Sequence, residues 1–275
     1  MAALYGFDAF SPSEIAQRVE DVGAAKARLP LHALVMLGVL AGAFIGLGSL
    51  YYTIVVSDPA LPHALSRVIG GVVFSLGLLL VVVAGAELFT GNNLIVMAWA
   101  EGRVTSRELL FNWVVVCCAN FAGALGLASI AFLSGHAEQY AGTYQKILAL
   151  KTSLPLAQAF FSGVLCNVLV CMAVWMTLAG RSVMDKAVAI VLPVSAFVAA
   201  GFEHSVANMY FIPLGMMLQA AAGQPLELSG LARNLVPVIA GNLVGGSVLV
   251  ALVYYVIYRW RVGVTLAPSR KASEG

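Results

Sequence analysis

Gly85-Ala86-Glu87-Leu88-Phe89-Thr90-Gly91-Asn92 and Gly201-Phe202-Glu203-His204-Ser205-Val206-Ala207-Asn208 carry one pattern, G-x-E-x4-N, 116 positions apart. Each interrupts an otherwise apolar stretch. A carboxylate at bilayer depth is costly, so it faces a pathway or a protein interior rather than lipid. The glycines and asparagines around it disfavour continuous helix. Two such breaks in matched positions predict two discontinuous spans around one central site.

The 275 residues are 61% hydrophobic and 10% charged. Soluble domains carry about 25% charged residues, so this chain is expected to be solvated mainly by lipid. A net charge of +2 gives no footing for nucleic-acid binding. The first thirty residues hold Asp8, Glu14, Arg18, Glu20, Asp21, Lys26 and Arg28 with no apolar core between them. No cleavable signal peptide is expected there, and insertion falls to the spans themselves. Cys117, Cys118, Cys166 and Cys171 all lie in apolar stretches without C-x2-C or Cys/His spacing. They read as buried thiols, and neither a metal nor a cofactor is expected.

Ser11-Pro12-Ser13-Glu14 reads as a capping box that starts a helix. That helix, running to about Arg28, has Ile15, Val19 and Val22 on one side and is expected to lie along the membrane surface. Apolar spans follow at 31–56, 68–100, 109–133, 155–180, 187–222 and 233–258. The second and fifth exceed the roughly 20 residues that one crossing needs, and each holds a break. The reading is an all-α membrane protein of six crossings. Residues 1–30 and 259–275 flank one channel domain over 31–258. Eleven of the fifteen lysines and arginines fall on the side of both termini, which the positive-inside rule makes cytoplasmic. Asn120-Phe121-Ala122-Gly123-Ala124 and Asn242-Leu243-Val244-Gly245-Gly246 both read N-x-x-G-small. The halves 31–133 and 155–258 therefore form a repeat, and three crossings per copy make it inverted. Gly38, Gly42, Gly46, Gly48, Gly241, Gly245 and Gly246 are assigned to close helix packing.

Glu87, Glu203 and His204 are the ionisable groups set deep in these spans. A lone histidine usually serves as a structural hydrogen-bonder. Beside a glutamate in a helix break, it becomes a candidate switchable proton donor. Glu87 and Glu203 are expected to brace the loops by accepting unpaired backbone N–H groups, with Asn92 and Asn208 tying the same loops. Lys151 fits a solvated loop charge equally well, and Arg67 and Arg233 read as surface charges. Two other functional classes fit poorly. A haem-carrying redox subunit needs facing axial histidines, and a metalloprotease needs a second histidine in register.

AELFTGNNLIV (86–96), GRSVMDKA (180–187) and GFEHSVANMYFIPLGM (201–216) resemble the formate/nitrite transporter family, and the likeness covers nearly the whole chain. The resemblance implies an aquaporin-like protomer of six spans, a homopentamer in the cytoplasmic membrane, and one pore per protomer. It implies a mobile loop at 85–93 and a second loop at 201–209. It sets Thr90 opposite His204, builds apolar constrictions from Phe74, Leu78, Leu88 and Phe197, and lines the outer vestibule with Lys151. Asn167 and Asn242 match polar positions near the pore. Gly91-Asn92-Asn93 departs from the other small polar residues found there in many formate channels. Formate is the leading expected cargo; nitrite and hydrosulfide are the alternatives.

Overall fold

The Glu14 N–H reaches the Ser11 hydroxyl and the Ser11 N–H reaches the Glu14 carboxylate, so the capping box closes and α1 runs Pro12–Ala27. The computed structural model describes residues 9–225 and 227–260. α2 follows at Leu31–Val56 and α3 at His63–Leu80, prolonged by a π-helical turn over Val81–Gly85. Past the first break come a 3-10 turn, Gly91–Ile95, and α4, Val96–Ala100. Next are α5 Ser106–Leu133, α6 Ala141–Ser153, α7 Leu156–Thr177 and α8 Val183–Ala200. Past the second break lie α9 Ser205–Ala221 and α10 Ser229–Leu243, continued by a π-helical stretch Val244–Leu252 into α11 Val253–Tyr258.

Six of these segments are long and apolar enough to cross a membrane: α2, α3 with its π turn, α5, α7, α8, and α10 through α11. The second and fifth crossings break where the matched motif predicts. Gly85 and Gly201 turn the chain with φ of 86° and 79°, a region open to glycine and strained for most other residues. Each loop then folds back into the interior, and a second half-helix starts there. α9 buries 13 of its 17 residues among α2, α5, α6 and α10. α8 turns Val183, Met184, Val188 and Leu192 outward. Phe111 and Val114 on α5 and Phe161 and Leu165 on α7 are likewise exposed, apolar faces suited to lipid or to neighbouring copies.

The inverted halves pack alike: α2 lies on α5 as α7 lies on α10. A Cβ on Gly123 would meet the Val39 carbonyl, and one on Gly241 the Phe160 carbonyl. The small residues are thus spent on helix contact inside the protomer.

The surface helix differs from expectation. Ile15, Ala16, Val19 and Ala24 are buried against the Leu94–Ala98 segment rather than facing lipid. Arg259 Nε donates to Glu20 Oε1 at 2.8 Å, tying α1 to the end of α11. Burial there pushes the Glu20 carboxyl above the ordinary glutamate range, against the pull of Arg259. An amphipathic stripe specifies that a face must be covered but not by what, and protein satisfies it as well as lipid does. Residues 1–8 and 261–275 of the expected flanking segments lie outside the described residues.

Candidate functional site

Each break is held by the same cage of side chains. In the first, Glu87 Oε1 pairs with Lys26 Nζ at 2.9 Å and Oε2 accepts from Asn92 Nδ2 at 2.7 Å. Asn92 Nδ2 also donates to Asn112 Oδ1 at 3.0 Å, and Asn112 Nδ2 to the Lys26 carbonyl at 3.2 Å. In the second, Glu203 Oε1 pairs with Lys151 Nζ at 3.0 Å and Oε2 accepts from Asn208 Nδ2 at 2.6 Å. Asn208 Nδ2 donates to Asn234 Oδ1 at 2.7 Å, and Asn234 Nδ2 to the Lys151 carbonyl at 3.0 Å. Both carboxylates are thus held by lysines and asparagine amides, not by the loop N–H groups expected from the sequence. A buried charge needs a cation as well as donors, and the neighbouring helices supply it.

The loop backbones are pinned by a second matched pair. Asn120 Oδ1 accepts from the Phe89 N–H at 2.9 Å, while its Nδ2 donates to the Glu87 carbonyl at 2.9 Å and the Gly38 carbonyl at 2.7 Å. Asn242 Oδ1 accepts from the Ser205 N–H at 3.0 Å, while its Nδ2 donates to the Glu203 carbonyl at 3.0 Å and the Gly163 carbonyl at 2.8 Å. Asn167 ties the first loop to α10, the helix whose Asn242 pins the second, with its Nδ2 near the Thr90 carbonyl (3.2 Å), Asn93 Oδ1 (2.8 Å) and the Asn242 carbonyl (2.7 Å). The sequence reading grouped Asn167 and Asn242 with the pore. The structure turns their amides to backbone groups and, for Asn167, to Asn93 Oδ1, and neither residue lines the two cavities described below.

The loops meet at Thr90 and His204, whose Oγ1 and Nε2 are 3.1 Å apart. His204 also caps α9: its Nδ1 accepts the Ala207 N–H at 3.1 Å. An accepting Nδ1 carries no proton, so the neutral ring holds its hydrogen on Nε2 and donates it to Thr90. The imidazole stacks on Phe197 at 5.9 Å between centroids, and Phe197 meets Phe74 edge-on at 5.9 Å.

Two cavities flank this crossing. The first, about 500 Å³, opens beside α1 and is lined by Lys26, Leu78, Glu87, Leu88, Asn92 and Lys186, among others. The second, about 480 Å³, is lined by Arg67, Phe74, Lys151, Phe197, Glu203 and His204, among others. Phe74, Leu78, Leu88, Thr90, Phe197 and His204 are each no more than 3% exposed. The expected constriction residues thus fall in two groups, the leucines toward the first cavity and the phenylalanines toward the second. Lys151 lies in neither loop nor open solvent; it sits on α6 with its ammonium committed to Glu203. Among the described residues, no cluster of three histidines, cysteines or acids is placed to hold a metal ion.

Sequence reasoning gave Lys26, Asn112 and Asn234 no role and read Arg67 as a surface charge. A signal for three of them was present: Asn112 and Asn120 are spaced as Asn234 and Asn242 are, and Lys26 and Gly38 as Lys151 and Gly163 are. Arg67 has no such echo.

A model of the formate/nitrite transporter family matches residues 13–256. The "Formate channel FocA" of Escherichia coli (strain K12) is 40% identical over 273 residues, covering 92% of this chain and 95% of that protein. The protein of the same name from Haemophilus influenzae is 37% identical, covering 89% and 93%. A solved structure described as "Pentameric formate channel with formate bound" superposes with a TM-score of 0.76 at 36% identity, covering 83% of this chain and 97% of that one.

Proposed function

We propose a function from a premise now in place: this chain belongs to the formate/nitrite transporter family. It is a multi-pass membrane channel, and its cargo is a small monovalent anion, formate first. It assembles as a homopentamer, as its structural relative does, with one pore per protomer. Transport moves the anion without converting it. The bias of eleven in fifteen basic residues supports cytoplasmic termini and a cytoplasmic-membrane location. We treat 31–258 as one channel domain with flanking segments at 1–30 and 259–275.

The observation that carries this reading is the Thr90–His204 contact of 3.1 Å, buried between two cavities. Formate is almost wholly ionised at neutral pH, and a bare charge at the midplane costs about 3 kcal/mol or more. A carboxylate that displaces Thr90 from His204 meets an Nε2–H donor in a water-poor slot. Phe74 and Phe197 on one side and Leu78 and Leu88 on the other exclude water there. Glu87, Asn92, Glu203 and Asn208 hold the loops that present the pair.

Proton-assisted passage makes a further demand. For His204 to act as an acid, Nδ1 must take a second proton and release the Ala207 N–H. Proton delivery is then tied to loosening the start of α9. The test is formate uptake by purified protein in liposomes across a range of pH, with His204→Phe beside the wild type. The variant should assemble and lose proton-coupled uptake; an unchanged pH profile removes the imidazole from the mechanism. Nitrite and hydrosulfide are the alternative cargoes in this family. The slot distinguishes bent monoanions poorly, so competition with each belongs in the same experiment.

A further inference from the structure

The second cavity is lined by three charged side chains, and they do not cancel. Lys151 Nζ lies 3.0 Å from Glu203 Oε1 and 3.2 Å from Oε2, so that pair sums to zero. His204 is neutral in the tautomer its contacts fix. The remaining charge is Arg67, whose guanidinium keeps its proton in proteins. Among the described residues no carboxylate lies within ion-pair distance of it.

Arg67 is held instead by neutral groups. Its Nε donates to the Ala199 carbonyl at 3.1 Å and its Nη2 to the Val198 carbonyl at 3.1 Å, and its Nη1 lies 3.5 Å from the Tyr52 hydroxyl. A Cβ on Gly201 would stand 2.6 Å from Nη2, so the head group lies across the break of the fifth crossing. Carbonyls at the end of α8 solvate a cation without neutralising it. These contacts use three of the five N–H donors and leave one on each terminal nitrogen. That is the number a carboxylate accepts in a bidentate pair. A cation inside a span is costly and usually finds a carboxylate. Lys26 and Lys151 both do, and Arg67 does not.

We propose that Arg67 supplies the uncompensated positive charge that draws a small carboxylate into the second cavity and holds it before transfer to His204. Arg67, more than the ion-paired Lys151, sets the anion affinity of that cavity. The inference rests on the anion-channel reading above, and it corrects the assignment of Arg67 as a surface charge.

The test uses purified full-length protein with Arg67→Gln and Arg67→Lys. One readout is line broadening of 13C-formate by the protein in detergent, at low and high salt. The other is formate uptake by liposomes holding the same preparations. Broadening by the wild type should weaken with salt, because the attraction is screened. R67Q should bind roughly tenfold more weakly at low salt and lose the salt dependence, while R67K stays within about threefold of the wild type. R67Q binding within about twofold of the wild type, with salt dependence intact, overturns the proposal. So does equal loss in R67K and R67Q with assembly preserved, which would make Arg67 a clamp on the break. If R67Q fails to assemble, R67K decides alone: salt-sensitive binding supports the proposal and its loss refutes it. A wild type that binds formate but does not conduct it sinks the channel reading and leaves this one standing. A wild type that neither binds nor conducts sinks both.

Discussion

The two broken crossings share their scaffold and differ at their tips. Glu87, Asn92, Asn112, Asn120 and Lys26 on one side answer Glu203, Asn208, Asn234, Asn242 and Lys151 on the other, nearly bond for bond. One residue past the glutamate the copies diverge: Leu88 in the first loop, His204 in the second. Three residues past it they diverge again, with Thr90 against Val206. Duplication therefore explains how the loops are held. It does not explain what they present, because hydroxyl and imidazole come from different copies. Positions equal in both halves build the frame, while the Thr90–His204 contact is made by positions that differ.

The equivalence of the cages is tested hardest by removing a cation. Lys151→Met leaves the Glu203 carboxylate buried and unpaired, which costs about 3–5 kcal/mol. Lys26→Met should cost less. Its side chain is 30% exposed against 16% for Lys151, so water already screens that ammonium and less attraction is lost with it. Thermal unfolding of the purified oligomer measures both. Equal losses would mean that the two ends are equally dry and that the difference in exposure has no energetic weight.

Removing a pin comes next. Asn120→Leu and Asn242→Leu each orphan a loop N–H and two backbone carbonyls, at about 2–3 kcal/mol. Because the bonds match one for one, the two losses should agree within about 1 kcal/mol, the usual scatter of such contributions. Hydrogen exchange at Phe89 and at Ser205 locates the opening. Faster exchange in the loop of the other copy would show that Asn167 transmits the strain.

The frame was only partly legible in the sequence. Glu87 and Glu203 stood out because a carboxylate in an apolar run is conspicuous and its spacing repeats. Asn112 and Asn234 were as regularly spaced, yet an amide inside a helix reads as one polar residue among many until its partner is known. Lys26 could not be placed, because α1 docks through tertiary contacts that its stripe does not specify. Arg67 sits near the start of α3, where a cation reads as a surface group. Its burial depends on α8 ending beside it, and no local pattern encodes that. The apex was legible in kind, since a histidine in a break is rare. The tautomer was not, because it depends on the Ala207 N–H.

The apex itself gives a smaller effect. Thr90→Val keeps the shape and removes the partner of His204, a loss of about 1 kcal/mol and roughly fivefold in formate uptake. The reciprocal Val206→Thr adds a hydroxyl at a fully buried position that lines neither cavity, so uptake should hold within about twofold. A large effect from V206T would mean that both copies touch the cargo, and the division between frame and tip would fail.

The smallest effect separates the helices that deliver the two lysines. α1 starts with the Ser11–Glu14 box, whereas α6 has no side-chain cap. The Ser11 hydroxyl and N–H, each 2.7 Å from Glu14 Oε2, hold that carboxyl below the usual glutamate range. A lowered value means the cap is fully present above the ordinary glutamate pKa and is lost as pH falls through the lowered one. Acidification from about pH 6 to about pH 3, which spans the glutamate range, should therefore fray the first turn of α1 and leave the start of α6 unchanged. Hydrogen exchange normalised to intrinsic rates reads this directly, and Glu14→Ala, which removes the acceptor, should fray α1 at both pH values. The fraying should stop short of Lys26, because Ile15, Val19 and Ala24 are buried between them. Loss of the Lys26–Glu87 pair in E14A would mean that the surface cap, rather than the buried face of α1, keeps the first cage closed.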